Sequence, residues 1–181
     1  MIDEIMEYNR KFVENKGYEP YLTSKYPDKK LAILTCMDTR LLELLPAALG
    51  IKNGDAKIIK NAGGVIVHPY GSVVRSLLVG ILELGVEEVM VIGHTDCGVQ
   101  GMDGSEMLDM LVERGIDQQH IDIVRHSGID LERWLGGFES VESSVHETVR
   151  SLKEHPLMPK NVRISGFIMD SATGELTRVE A

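Results

Sequence analysis

Short unbroken apolar runs alternate with amphipathic stretches along this chain. Leu31-Ala-Ile-Leu-Thr-Cys36 is such a run, and its lack of polar alternation predicts a strand buried on both faces. Similar runs at 56–61, 88–93 and 162–170 predict three further strands. Between the second and third, Ser72 to Leu84 has helical spacing and Gly85 stands where a helix stops. Strands alternating with helices imply right-handed crossovers. The expected fold class is therefore α/β: one domain over residues 1–181, a central mostly parallel sheet flanked by helices, and a last strand free to run antiparallel.

Outside this frame, residues 2–16 place Ile2, Ile5, Met6, Tyr8, Phe12 and Val13 among charges, with Gly17 as a stop. This predicts an amphipathic helix, of a kind that packs on a neighbouring subunit. Residues 20–30 form an irregular connection. Residues 103–154 are mostly polar with helical spacing, including a helix over 141–154, and Thr173-Gly174 reads as a turn after the last strand.

Composition narrows the function classes. With 181 residues, 43% hydrophobic and 26% charged, the chain has the makings of an ordinary folded core. Twenty-eight acidic residues against 19 basic ones give a formal net charge of -9, which disfavours nucleic acid and anionic membrane as partners. The charged N-terminal segment has no apolar leader core, and the most apolar stretch, 73–86, is broken by Arg75 and Glu83 and is too short to span a bilayer. Two cysteines are too few for a secreted disulfide framework, so a reducing, cytoplasmic location is expected.

Chemistry enters at the strand ends. Cys36 closes the first strand and His94-Thr-Asp-Cys97 follows the third. The carboxyl ends of parallel strands open onto the crevice where ligands bind, so these segments can converge. Two thiolates and an imidazole form a set that zinc favours, and three protein ligands leave a fourth position for water, the mark of a catalytic site. Spacing alone leaves other readings open: inert buried thiols, a Cys36–Cys97 disulfide, and a hydrogen-bonded core histidine. Asp38 and Arg40 follow Cys36 by two and four residues, and the period of two can turn all three to one side. A carboxylate there can accept a hydrogen bond from water at the metal while Arg40 fixes its orientation; a solvated surface pair is the plainer alternative.

Cys36-x-Asp38-x-Arg40 with His94-x-x-Cys97 resembles the signature of the β-class carbonic anhydrases, in the short prokaryotic branch. Lys60-Asn-Ala-Gly-Gly64, the 72–84 helix and Val91-Ile-Gly-His-Thr-Asp-Cys-Gly98 supply the context, and the likeness is strongest over 28–100. The resemblance implies one zinc ion per subunit on Cys36, His94 and Cys97, with Asp38–Arg40 as the adjacent catalytic dyad. It implies a lyase acting on carbon dioxide and bicarbonate, and a homodimer or higher homo-oligomer. In some members the equivalent aspartate swings onto zinc at lower pH, so Asp38 is a candidate fourth ligand. Relatives hydrolyse carbonyl sulfide or carbon disulfide with the same ligands, and a non-catalytic zinc-binding module is the non-enzyme alternative. Where the plant-like branch carries a glutamine before the first cysteine, this chain has Tyr26-Pro27-Asp28, which leaves the pocket lining open.

The segment Asn61-Ala-Gly-Gly64 fits either a site wall or a turn. Gly98 suggests that the Cys97 thiolate lies near a turn or helix start, where amides favour negative charge. Of the remaining histidines, His68 is a proton-shuttle candidate, while His120, His126, His146 and His155 have no ligand spacing and read as surface or core residues.

Overall fold

The computed structural model describes residues 1–180. Its elements are α1 (Ile2–Glu14), β1 (Leu31–Cys36), α2 (Leu41–Ala48), β2 (Ala56–Asn61), α3 (Ser72–Leu84), β3 (Glu88–His94), α4 (Gly104–Glu113), α5 (Gln118–His126), α6 (Leu131–Leu135), α7 (Val141–Glu154), β4 (Arg163–Met169) and β5 (Leu176–Val179). The five strands form one sheet in the order β2-β1-β3-β4-β5. The first four are parallel and the last pair, β4–β5, is antiparallel. The 162–170 run is itself a parallel strand; the one that turns back is β5, whose four residues Leu-Thr-Arg-Val gave the pattern little to show.

Strand alternation sends Ala32 to one face and Ile33 to the other, and each face has its own core. On one, Val74 and Leu77 of α3 and Val145, Val149 and Leu152 of α7 pack with Ala32, Val89 and Val91. On the other, Leu41 and Leu45 of α2 pack with Ile33, Ile92 and Met169, and this cluster includes both cysteines. Gly93 allows α7 to lie directly on β3, because a Cβ there would stand 2.7 Å from Val141 Cγ1. Gly85 ends α3 in the left-handed conformation, as its position in the sequence predicts.

α4, α5 and α6 enclose a small core of their own around Leu108, Ile121 and Leu131. Their starts are fixed by Asp103, Asp117 and Asp130, whose side chains accept from first-turn amides. α1 has no buried residue and exposes Ile2, Ile5, Met6 and Val13. Among the described residues no helix is long and apolar enough to cross a membrane.

Candidate metal centre

β1 and β3 are neighbours, and the connections that leave them, to β2 and to β4, run in opposite directions. At such a reversal a crevice opens beyond the carboxyl ends of the strands. Cys36 is the last residue of β1 and His94 the last of β3. A tight turn through Thr95 and Asp96 then brings Cys97 back to the same place.

All three side chains are buried, at 4%, 1% and 6% exposure for Cys36, His94 and Cys97. Their ligand atoms lie within 4.8 Å of one another. Both cysteines are free, which closes the disulfide alternative. Two sulfurs each about 2.3 Å from a tetrahedral zinc would lie about 3.8 Å apart, against the 3.9 Å between the Sγ atoms here.

His94 gives an independent test of fit. Its Nδ1 lies 2.9 Å from the Thr95 carbonyl oxygen, which requires Nδ1–H as donor and leaves the lone pair on Nε2. That Nε2 is buried without a hydrogen-bond partner, the only such side-chain nitrogen or oxygen among the described residues. An orphaned buried acceptor is costly, and a cation shared with the two sulfurs would satisfy it. The donor set is therefore one that zinc fits.

Burial pushes the Cys97 thiol above its usual range and the neighbouring Cys36 adds to this, while the amides of Val99 and Gln100 act in the opposite direction. Those two amides belong to the turn expected after Gly98. A metal taking this site must displace thiol protons, so capture weakens as the pH falls.

Asp38 and Arg40 sit between β1 and α2. Arg40 Nε and Nη2 donate to Asp38 Oδ1 and Oδ2 at 3.0 and 2.8 Å, and the Arg40 amide donates to Oδ1 at 2.9 Å. Asp38 Oδ2 lies 3.9 Å from His94 Nε2, so the carboxylate borders the ligand set. The Arg40 guanidinium holds the Asp38 carboxyl well below the usual carboxylate range, with burial opposing it. A carboxyl lowered on folding contributes its stability above the unfolded pKa, near 3.9, and loses it as pH falls from there toward the folded value. Melting temperatures of the zinc-free wild type and Asp38→Asn should therefore converge as pH falls below about 4. A gap that stays constant through that range would mean the Asp38 charge contributes nothing.

The sequence did not single out Asp96. Arg40 Nη1 donates to its Oδ2 and Arg40 Nη2 to its backbone oxygen, both at 2.8 Å. Asp96 has a φ of 54°, a left-handed value that Asp and Asn tolerate better than most residues. An aspartate inside the His94-x-x-Cys97 turn was the available signal. Thr95 was also missed: its amide donates to the Met169 carbonyl and its Oγ1 accepts from the Ser171 amide, each at 3.0 Å, tying the ligand turn to β4.

Gly64 packs the Asn61–Gly64 segment against the end of β1. At φ +67°, a Cβ there would lie 2.9 Å from the Thr35 carbonyl carbon and 3.0 Å from the Cys36 nitrogen, so the loop backs directly onto the backbone that carries Cys36. Gly64→Ala should destabilise the fold by about 2 kcal/mol and loosen Cys36. Thermal melting together with zinc retention checks this, and an unchanged melting temperature would contradict it.

His68 stands apart from Cys36, His94 and Cys97. It lines a largely apolar cavity of about 930 Å³ with Leu108, Ile121 and Trp134, whose walls include none of Cys36, His94 or Cys97. His155 is a satisfied core histidine, its Nε2 2.9 Å from the Pro69 oxygen and its Nδ1 accepting from the Leu157 amide. His120, His126 and His146 lie on the surface.

The family described as Carbonic anhydrase matches residues 31–176. The Bacillus subtilis (strain 168) protein YvdA, provisionally named a carbonic anhydrase, is 51% identical over 175 residues, covering 97% of this chain and 89% of its own. The crystal structure of β-carbonic anhydrase isoform I from Trichomonas vaginalis superposes with a TM-score of 0.88 at 35% identity, over 99% of this chain and 97% of that one. A carbon disulfide hydrolase from Acidithiobacillus thiooxidans is 31% identical, over 82% of this chain and 76% of its own.

Proposed function

The chain belongs to the β-carbonic anhydrase family, and from that premise we propose that it interconverts carbon dioxide and bicarbonate on a zinc ion held by Cys36, His94 and Cys97. The observation that carries this is the orphaned Nε2 of His94 facing two sulfurs at zinc-like separation, with an ionised Asp38 at the rim.

Carbon dioxide has no charge and few handles, so the catalyst must chiefly provide a nucleophile at ordinary pH. Zinc held here would supply it by lowering the pKa of a water from 15.7 towards about 7. Ile33, Ile92 and Met169 pack around the sulfurs and keep the ligands in a setting of low dielectric. Asp38, ionised and therefore acceptor only, takes a hydrogen bond from the attacking oxygen and turns its lone pair toward carbon. Arg40 keeps both Asp38 oxygens aimed through a bidentate contact. The product proton leaves to solvent or buffer. A swing of Asp38 onto the ion would close the site, and it would first have to break the pair with Arg40.

The test is stopped-flow hydration of carbon dioxide by the zinc-loaded and zinc-stripped protein, beside hydrolysis of carbon disulfide and carbonyl sulfide. Zinc-dependent hydration is expected. Hydrolysis of the sulfur compounds alone would favour the second reading, which the 31% identical carbon disulfide hydrolase supports. Neither activity at any pH would leave a zinc-binding module.

The same proposal extends to assembly. A 13-residue helix with no buried residue is marginal in water on its own, and its exposed Ile2, Ile5, Met6 and Val13 suit a second copy of the chain in a homodimer or larger homo-oligomer. Ile5→Asp should shift the mass seen in sedimentation velocity towards the monomer, whereas an unchanged mass would place the subunit contact elsewhere. Two free thiols suit a reducing, cytoplasmic setting.

A further inference from the structure

The Arg40 guanidinium reaches across two segments. One side, Nε and Nη2, holds Asp38 from the loop after β1; the other, Nη1 and again Nη2, holds the carboxylate and carbonyl of Asp96, in the turn between His94 and Cys97. A carboxylate pair held from one side only can pivot about that contact. A second carboxylate and a carbonyl at right positions remove the pivot, because the guanidinium is planar and its donors point in fixed directions. As an isolated pair, Arg40 with an Asp96 side chain 85% exposed would add little stability. Its consequence is geometric.

We propose that Asp96 is a positioning residue for the reaction, acting through Arg40 to fix the direction in which Asp38 presents its carboxylate; this rests on the hydration chemistry proposed above. Asp96 touches neither the metal ligands' donor atoms nor the reacting oxygen. It also explains why an aspartate stands at a left-handed position where glycine would be the simplest choice: glycine would satisfy the backbone and lose the carboxylate.

Three variants separate the side chain from the backbone. Asp96→Gly keeps the left-handed turn and the carbonyl while removing the carboxylate, Asp96→Asn keeps an acceptor oxygen, and Asp96→Gly in an Arg40→Gln background asks whether the effect runs through Arg40. In the zinc-loaded protein, Asp96→Gly should lower kcat about tenfold with KM and zinc content unchanged. Asp96→Asn should recover most of the loss, and the glycine change should add nothing once Arg40 is gone. Independently of activity, nitrogen-15 NMR of the Arg40 side chain should show hindered rotation of the guanidinium at Nη1 in the wild type and faster rotation there in Asp96→Gly, where Nε and Nη2 stay held. A wild-type kcat in Asp96→Gly, a loss that tracks loss of zinc, or an equally fixed guanidinium would each overturn the assignment. A wild type that shows the hindered rotation but no hydration would instead sink the proposed reaction and leave the clamp standing.

Discussion

Cys36→Ser should yield a folded protein with far less than one zinc per chain and carbon dioxide hydration at the uncatalysed rate. The hydroxyl is close in size to the thiol, so the cluster around Ile33, Leu41 and Ile92 loses little packing. What disappears is a soft anionic ligand. A serine hydroxyl does not ionise near neutral pH as a coordinating thiol does. The two remaining ligands, His94 and Cys97, then face the ion without their strand-end partner, and the affinity of a three-ligand site falls steeply. Zinc content by atomic absorption and hydration by stopped flow check this together. A variant retaining full zinc and activity would exclude Cys36 from the metal centre.

Asp38→Ala should behave differently, keeping its zinc while hydration falls roughly a hundredfold. Asp38 borders the group formed by Cys36, His94 and Cys97: its Oδ2 lies 3.9 Å from His94 Nε2, and both of its oxygens are engaged by Arg40. Removing it leaves the sulfurs and imidazole in place and takes away the acceptor that orients the attacking oxygen. The guanidinium would still be held by Asp96, so the surrounding loop should stay ordered. Loss of zinc in step with activity would mean that Asp38 is a resident ligand rather than an orienting group.

The contrast between these variants follows from features that were unequally legible in the amino-acid sequence. The convergence of Cys36, His94 and Cys97 could be read because apolar runs stop at the first two: both are strand-terminal, and parallel strands put their carboxyl ends on one rim. Asp38 and Arg40 were legible as neighbours of Cys36. Asp96 was not, because its role depends on an arginine 56 residues earlier reaching across to a left-handed turn, a tertiary relation without a local pattern. The sheet was legible except for β5, where four residues and a charged Arg178 give too short a signal. α2 carries Pro46, which removes a helical donor, and it forms because Leu41 and Leu45 bury against the sheet. The helices α4 to α6 expose apolar residues such as Met110, Ile123 and Trp134 among their polar ones, which blurs the helical period, and the signals left in the sequence were their aspartate caps. That α1 is amphipathic could be read; none of its residues is buried within the chain.

The most direct test of the central claim is X-ray absorption at the zinc edge of the purified protein, with metal content measured on the same sample. One zinc per chain with two sulfurs near 2.3 Å and a light-atom shell near 2.0–2.1 Å, comprising His94 and a water, is the expected result. Metal-free protein that cannot be loaded to one zinc per chain, or a zinc shell containing fewer than two sulfurs, would contradict it.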